Sequence, residues 1–130
     1  MTIIAPAMRG FIGARSKPIL VFGTIAPVAP STTGISGVTN SITVPCTVSL
    51  TAPAWAEYVS GGSNAGFSTT ASVGRGQAAV KGLNITNGMA LWGQCDAPTT
   101  HGSLVTVTVR VLTAQNGTLL GTYQFSFSTN

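Results

Sequence analysis

A chain of 130 residues has room for one domain with an adequate core, and only 6% of this one is charged, about a quarter of the usual share. Neutral polar residues stand in for the missing charges, with 31 Ser and Thr beside 16 Gly, and so uncharged a surface resists association weakly. That excludes the ordinary profile of a freely diffusing enzyme, and the net charge of +4 gives no nucleic-acid stripe because Arg75, Lys81 and Arg110 lie apart in the chain and no basic run interleaves with aromatics.

In chain order, the first element is an arm. Residues 1–17 carry the apolar side chains Ile3, Ile4, Met8, Phe11 and Ile12 and the basic ones Arg9, Arg15 and Lys17. Gly and Pro interrupt the segment, so it is predicted to be extended and to lie across a partner, with the basic group meeting an acidic protein surface. Burying its five apolar side chains would contribute about 7–15 kcal/mol. Ordering some fifteen residues costs about 1–2 kcal/mol each, so the arm alone binds weakly. It gains force when the globular body binds too, or when several copies act together.

Residues 18–26 imitate the apolar part of a secretory signal, but the basic segment before them is itself apolar, and Pro27 and Pro30 crowd the cleavage position. Gly23, Thr24 and Pro27 also break the run well short of the ~20 residues a membrane span needs. The expectation is a chain with neither signal nor span.

The body, residues 18–130, is predicted to be a single small all-β sandwich, immunoglobulin-like or jelly-roll-like. Strands are expected at 18–24, 41–50, 67–73, 77–85 and 89–95, with turns between them at 8–12-residue intervals. Ser41–Leu50 alternates cleanly, placing Ile42, Val44, Cys46, Val48 and Leu50 on one face. Pro45 cannot donate to a ladder, which predicts an edge strand or a bulge there. Residues 53–59 suit a helical turn or a strand equally well.

The C-terminal hairpin is the most determined element. A two-residue Asn116-Gly117 turn would set Val109 against Gln124. A three-residue loop at Gln115-Asn116-Gly117 instead pairs Val109 with Tyr123, Val107 with Phe125 and Val105 with Phe127. Burial selects the second register, because facing residues share a face. A type I turn followed by a left-handed Gly117 would close it, and the hairpin is expected at the centre of the fold.

No motif names a reaction. The only carboxylates are Glu57 and Asp96, the only histidine is His101, and the two cysteines stand 49 residues apart, so neither an acid–base pair nor a metal-ligand spacing arises. No catalytic residue, cofactor or metal is expected. Cys46 and Cys95 both fall on apolar strand phases, open to two readings: an inter-sheet disulfide with Trp55 or Trp92 packed on it, or two buried free thiols. The first resembles the immunoglobulin-type sandwich, although Gly93 stands where that family carries a Tyr two residues before the second Cys.

Together these features suggest a structural subunit of a virion assembled in a host cytoplasm, above all a bacteriophage capsid cement or decoration protein. Its partners would be the major capsid protein or other virion subunits and further copies of itself, as a trimer or lattice, with neither nucleic acid nor membrane. A tail or head-fibre component is a near variant. The alternative is a secreted or surface adhesion module, such as a pilus subunit that donates a strand.

Overall fold

The computed structural model describes residues 18–25, 27–30 and 41–130. The arm expected over residues 1–17 lies outside them. The described chain is all-β and folds as a small sandwich of two four-stranded antiparallel sheets. The first has the order β1 (Ile19–Phe22), β2 (Ile42–Ser49), β6 (Leu91–Asp96), β4 (Ser63–Ser68). The second has the order β5 (Gly82–Ile85), β3 (Ala54–Ser60), β7 (Leu104–Leu112), β8 (Leu119–Ser128).

Two-residue periodicity builds the core. Val44, Cys46 and Val48 of β2 and Leu91 and Cys95 of β6 meet Val107, Val109, Val111, Phe125 and Phe127 from the other sheet, all buried. Between Leu91 and Cys95 stands Gly93, and the Phe125 ring occupies the space its side chain would take: an added Cβ would lie 2.7 Å from that ring. Phe125 in turn leans on Phe22 with ring centroids 4.9 Å apart. A glycine on one sheet thus receives an aromatic ring from the other, giving the interdigitation that close packing requires.

The hairpin register is the one burial selects: Val105 pairs with Phe127, Val107 with Phe125 and Val109 with Tyr123. The turn reaches it by a different route. Thr113 donates its N–H to the Thr118 carbonyl, Gly117 donates to Ala114, and the left-handed residue is Asn116 at φ 64° rather than Gly117. The four-residue loop would shift the register by one, and an extra residue, Leu120, bulges out of β8 to restore it. The hairpin is not central either, since β7 lies inside the second sheet but β8 forms its edge.

Three further expectations are corrected. Pro45 lies in an inner strand, between β1 and β6. Its carbonyl accepts the Gly23 N–H at 2.7 Å, so its missing donor faces the chain just beyond the end of β1, where little ladder is lost. The strand expected at 67–73 lies earlier, at β4, because Gly61 and Gly62 make the turn with φ of 92° and 76°. Gly62 is required twice over, as a Cβ there would approach Cys95 Sγ to 2.6 Å. Of residues 77–85 only β5 is strand, joining the second sheet, while Val80 bridges to Phe67 of the first. Of residues 53–59, all but Pro53 resolve as strand, within β3.

That crossing ties the sheets together along one side. Along the other, the Tyr123 hydroxyl donates to the Pro18 carbonyl at 2.5 Å, and Val28 bridges in parallel to Thr129.

Candidate functional site

The outer surfaces of the two sheets differ in chemistry. On the second sheet, Glu57 accepts hydrogen bonds from Trp55 Nε1 at 2.9 Å and Arg110 Nε at 2.7 Å. Thr106 and Ser126 share a hydroxyl bond at 2.9 Å, and Gln124 donates to Thr108 at 3.2 Å. This is an ordinary solvated sheet face. Its ion pair is exposed and contributes at most about 1 kcal/mol.

The outer surface of the first sheet is divided. Towards β4 it is polar and covered. Gln94 is buried and donates to the Gln77 carbonyl, while Thr43 Oγ1 donates to the Ala71 carbonyl and Ser41 N–H to that of Val73. Asp96 is buried as well, its Oδ1 accepting from Ser41 Oγ at 2.7 Å and from the Gly76 N–H at 3.2 Å, its Oδ2 from Asn64 Nδ2 at 2.6 Å. Burial pushes this carboxyl up, but those three donors, with the charge of Arg75, hold it below its ordinary value. An open groove of about 540 Å³ runs past Asp96, Arg75, Ser63, Thr100 and Leu104. Both carboxylate oxygens are already engaged, so Asp96 acts there as a strut that pins residues 41, 64 and 76 together.

Towards β1 the same surface is apolar and open. Ile19 and Val21 are each 54% exposed although they sit in a strand. Register places Ile19 beside Ser49, Val21 beside Thr47 and Pro45 beside Trp92, all on the outer face. Ala90 adds a further exposed apolar group, and no charged side chain stands among these residues. The fold therefore spends a loop on covering Gln94 and Asp96 and leaves Ile19 and Val21 in water. Hydrophobic burial alone would favour the reverse, so the uncovered half is the better candidate for a partner surface.

Of the residues expected to bind a partner, Ile3, Ile4, Met8, Arg9, Phe11, Ile12, Arg15 and Lys17 lie outside the described residues. The open face is what the sequence reading missed. Its signal was present in Ile19 and Val21, whose alternate neighbours Leu20 and Phe22 are equally apolar, so the strand has no polar side to give to water.

Strand placement decides between the two readings of the cysteines. Cys46 pairs with Leu91 and Cys95 with Ile42, so both lie on one sheet, four residues apart along adjacent strands. That is about 13 Å at the strand rise, far beyond disulfide reach. The two are free, buried thiols, and the inter-sheet bridge does not form. Neither tryptophan packs on a bridge, since both Trp92 and Trp55 lie on outer faces. Burial pushes the Cys46 thiol up to about 11 and raises that of Cys95 too. At pH 8 about one Cys46 in a thousand is thiolate, so a thiol-reactive disulfide reagent should leave the native protein unlabelled and modify two thiols after denaturation. Labelling of the native protein at the rate of a free thiol would contradict the burial of these side chains.

Among the described residues no group of His, Cys, Asp and Glu is placed to hold a metal ion, and no helix is long and apolar enough to cross a membrane. Compared with protein-family models, with curated proteins and with solved structures, the chain matches none.

Proposed function

We propose that this chain is a structural subunit of a virus particle, a capsid cement or decoration protein that binds where major capsid subunits meet and stabilises the shell. The observation that carries the reading is the open half of the first sheet. Ile19, Val21, Pro45, Ala90 and Trp92 make an uncharged apolar surface on a chain with almost no charge elsewhere to keep it solitary. The arm of residues 1–17 enters the described chain at Pro18, directly beside that surface, so body and arm can engage one partner together. Neither demands a catalytic group or cofactor, and uncharged, hydroxyl-rich surroundings suit a permanent contact inside an assembly.

Within the sandwich class, the immunoglobulin-like arrangement is the finer reading we favour. Numbered along the chain, one sheet joins the first, second, sixth and fourth strands, and the other joins the third, seventh and eighth with β5 added beside β3. That order suits an immunoglobulin constant-type sandwich with one additional strand. The same order is what favours the second reading, a surface adhesion module.

Mass spectrometry of purified particles of the virus encoding the chain tests the proposal. The expected result is this protein in a fixed ratio to the major shell subunit, released by mild treatment and rebinding to the stripped shells. Its absence from the particles, or recovery of a mature form cleaved near Ala26 from the cell exterior, would replace the cement reading with the secreted one.

A further inference from the structure

Among the described residues, one edge of the sandwich is left open, apart from the apolar face of the first sheet. β8 is the outer strand of the second sheet. Near its end the Ser128 carbonyl accepts the N–H of Val28, and Val28 in turn accepts from Asn130. The backbone groups of Ser128 therefore point away from β7, and by the two-residue alternation so do those of Ser126, Gln124 and Thr122. Phe127, Phe125 and Tyr123, between them, pair inward with Val105, Val107 and Val109. Among the described residues Val28 is the only partner on this outer edge. Thr122, Gln124 and Ser126 are all exposed.

An unpaired strand edge usually carries a Lys, a Pro or an inward charge that discourages pairing. Residues 119–130, LLGTYQFSFSTN, hold none. The open stretch has definite ends: the bulged Leu120 on one side, where the ladder shifts register, and Ser128, occupied by Val28, on the other. Its midpoint is Gln124.

We infer that the β8 edge pairs, antiparallel, with the β8 edge of a second copy of this chain about a two-fold axis at Gln124. That axis sets Gln124 opposite Gln124 of the second copy and each Thr122 opposite Ser126, a hydroxyl pair on either side of an amide pair. Each facing pair exchanges two backbone hydrogen bonds, and the second sheets of the two copies become one continuous sheet of eight strands. The pairing brings no charges together, since the nearest ion pair, Glu57 with Arg110, is satisfied within its own copy. The interface is isologous, so it closes at a dimer and does not propagate. This inference does not rest on the virion reading and leaves the apolar face of the first sheet free for another partner.

Sedimentation velocity on the full chain, over about 1 µM to 1 mM, reads the result directly. The wild type should pass from monomer to dimer with rising concentration, and the amides of Thr122, Gln124 and Ser126 should exchange more slowly in the dimer. Gln124→Lys places two like charges face to face and should weaken the dimer at least tenfold, with partial recovery at high salt. Gln124→Pro removes an N–H that faces the open edge, so it should abolish the dimer while leaving an unchanged far-ultraviolet spectrum. A chain lacking residues 1–17 should dimerise like the wild type. A wild type that stays monomeric throughout, a dimer indifferent to Gln124→Lys, or a dimer lost with residues 1–17 would each overturn the pairing. The last result would assign the edge to the arm of a neighbour.

Discussion

Phe125→Ala should destabilise the protein by about 3–5 kcal/mol, the cost of removing a buried aromatic ring whose site cannot collapse. The ring cannot be replaced by movement from one sheet alone. It sits against Phe22 and fills the space above Gly93. The same contact predicts a coupling. Gly93→Ala introduces a methyl 2.7 Å from the ring and should cost about 1–3 kcal/mol in the wild-type background through overpacking. In a Phe125→Ala background that methyl enters an empty space, and the penalty should nearly vanish, leaving a coupling of about 1–3 kcal/mol. Urea unfolding of the four variants measures it. Additive effects would mean that glycine and ring do not share one space.

Asp96→Ala should cost roughly 3 kcal/mol, although it removes only a small polar group. Ser41 Oγ, Asn64 Nδ2 and the Gly76 N–H all donate to this carboxylate, and its loss leaves three donors without their acceptor beneath the covering loop. Asp96→Asn keeps the volume but offers one acceptor oxygen and two unwanted hydrogens, so it should recover only part of the loss. The pH dependence has a definite sign. The folded carboxyl titrates below its ordinary value of 3.8, so its contribution is fully present above that value. Acid should remove it as the pH falls from about 4 through the lower folded value, and Asp96→Asn should flatten this limb. At the other extreme, the raised thiols of Cys46 and Cys95 favour the native state only while neutral. The unfolded chain ionises them first above their ordinary 9.0, so stability should also decline in strong base.

Legibility in the sequence followed side-chain periodicity closely and failed where polar groups organised the backbone. Val105 to Val111 against Tyr123 to Phe127 has one register that buries both apolar sets, and the chain adopts it. The bulge at Leu120 was hidden because loop length and register can be exchanged for one another without altering any core residue. Ser41–Leu50 was readable as a strand, but its inner position was not, since a proline is tolerated wherever the neighbouring strand has ended. Residues 67–73 alternate like a strand, yet 69–73 form part of the cover over the first sheet, with Val73 buried and Ala71 and Val73 held by hydrogen bonds to Thr43 and Ser41. Apolar Phe67, Ala71 and Val73 on one phase serve a docked loop as well as a ladder. The strut at Asp96 left no local trace: its donors come from 55, 32 and 20 residues away. The cysteines show the same limit, because phase gave their burial while only the strand order revealed that one sheet holds both.

The open face depends on the same kind of long-range arrangement. β1 supplies Ile19 and Val21, β2 supplies Pro45, and β6 supplies Trp92. Covering a half-exposed aliphatic side chain contributes about 1–1.5 kcal/mol, so each of Ile19 and Val21 corresponds to roughly a tenfold change in affinity for a partner seated there. A lysine at either position leaves the core untouched and places a charge where the partner would need an apolar contact.

The decisive measurement is the affinity of Val21→Lys for stripped particle shells, beside the wild type and a variant with a charge on the opposite sheet, Thr108→Lys. The expected result is saturable wild-type binding, at least a tenfold loss for Val21→Lys, no loss for Thr108→Lys, and unchanged unfolding of all three proteins. Equal binding by Val21→Lys and wild type would contradict the assignment of the first sheet's outer face as the surface through which this protein acts.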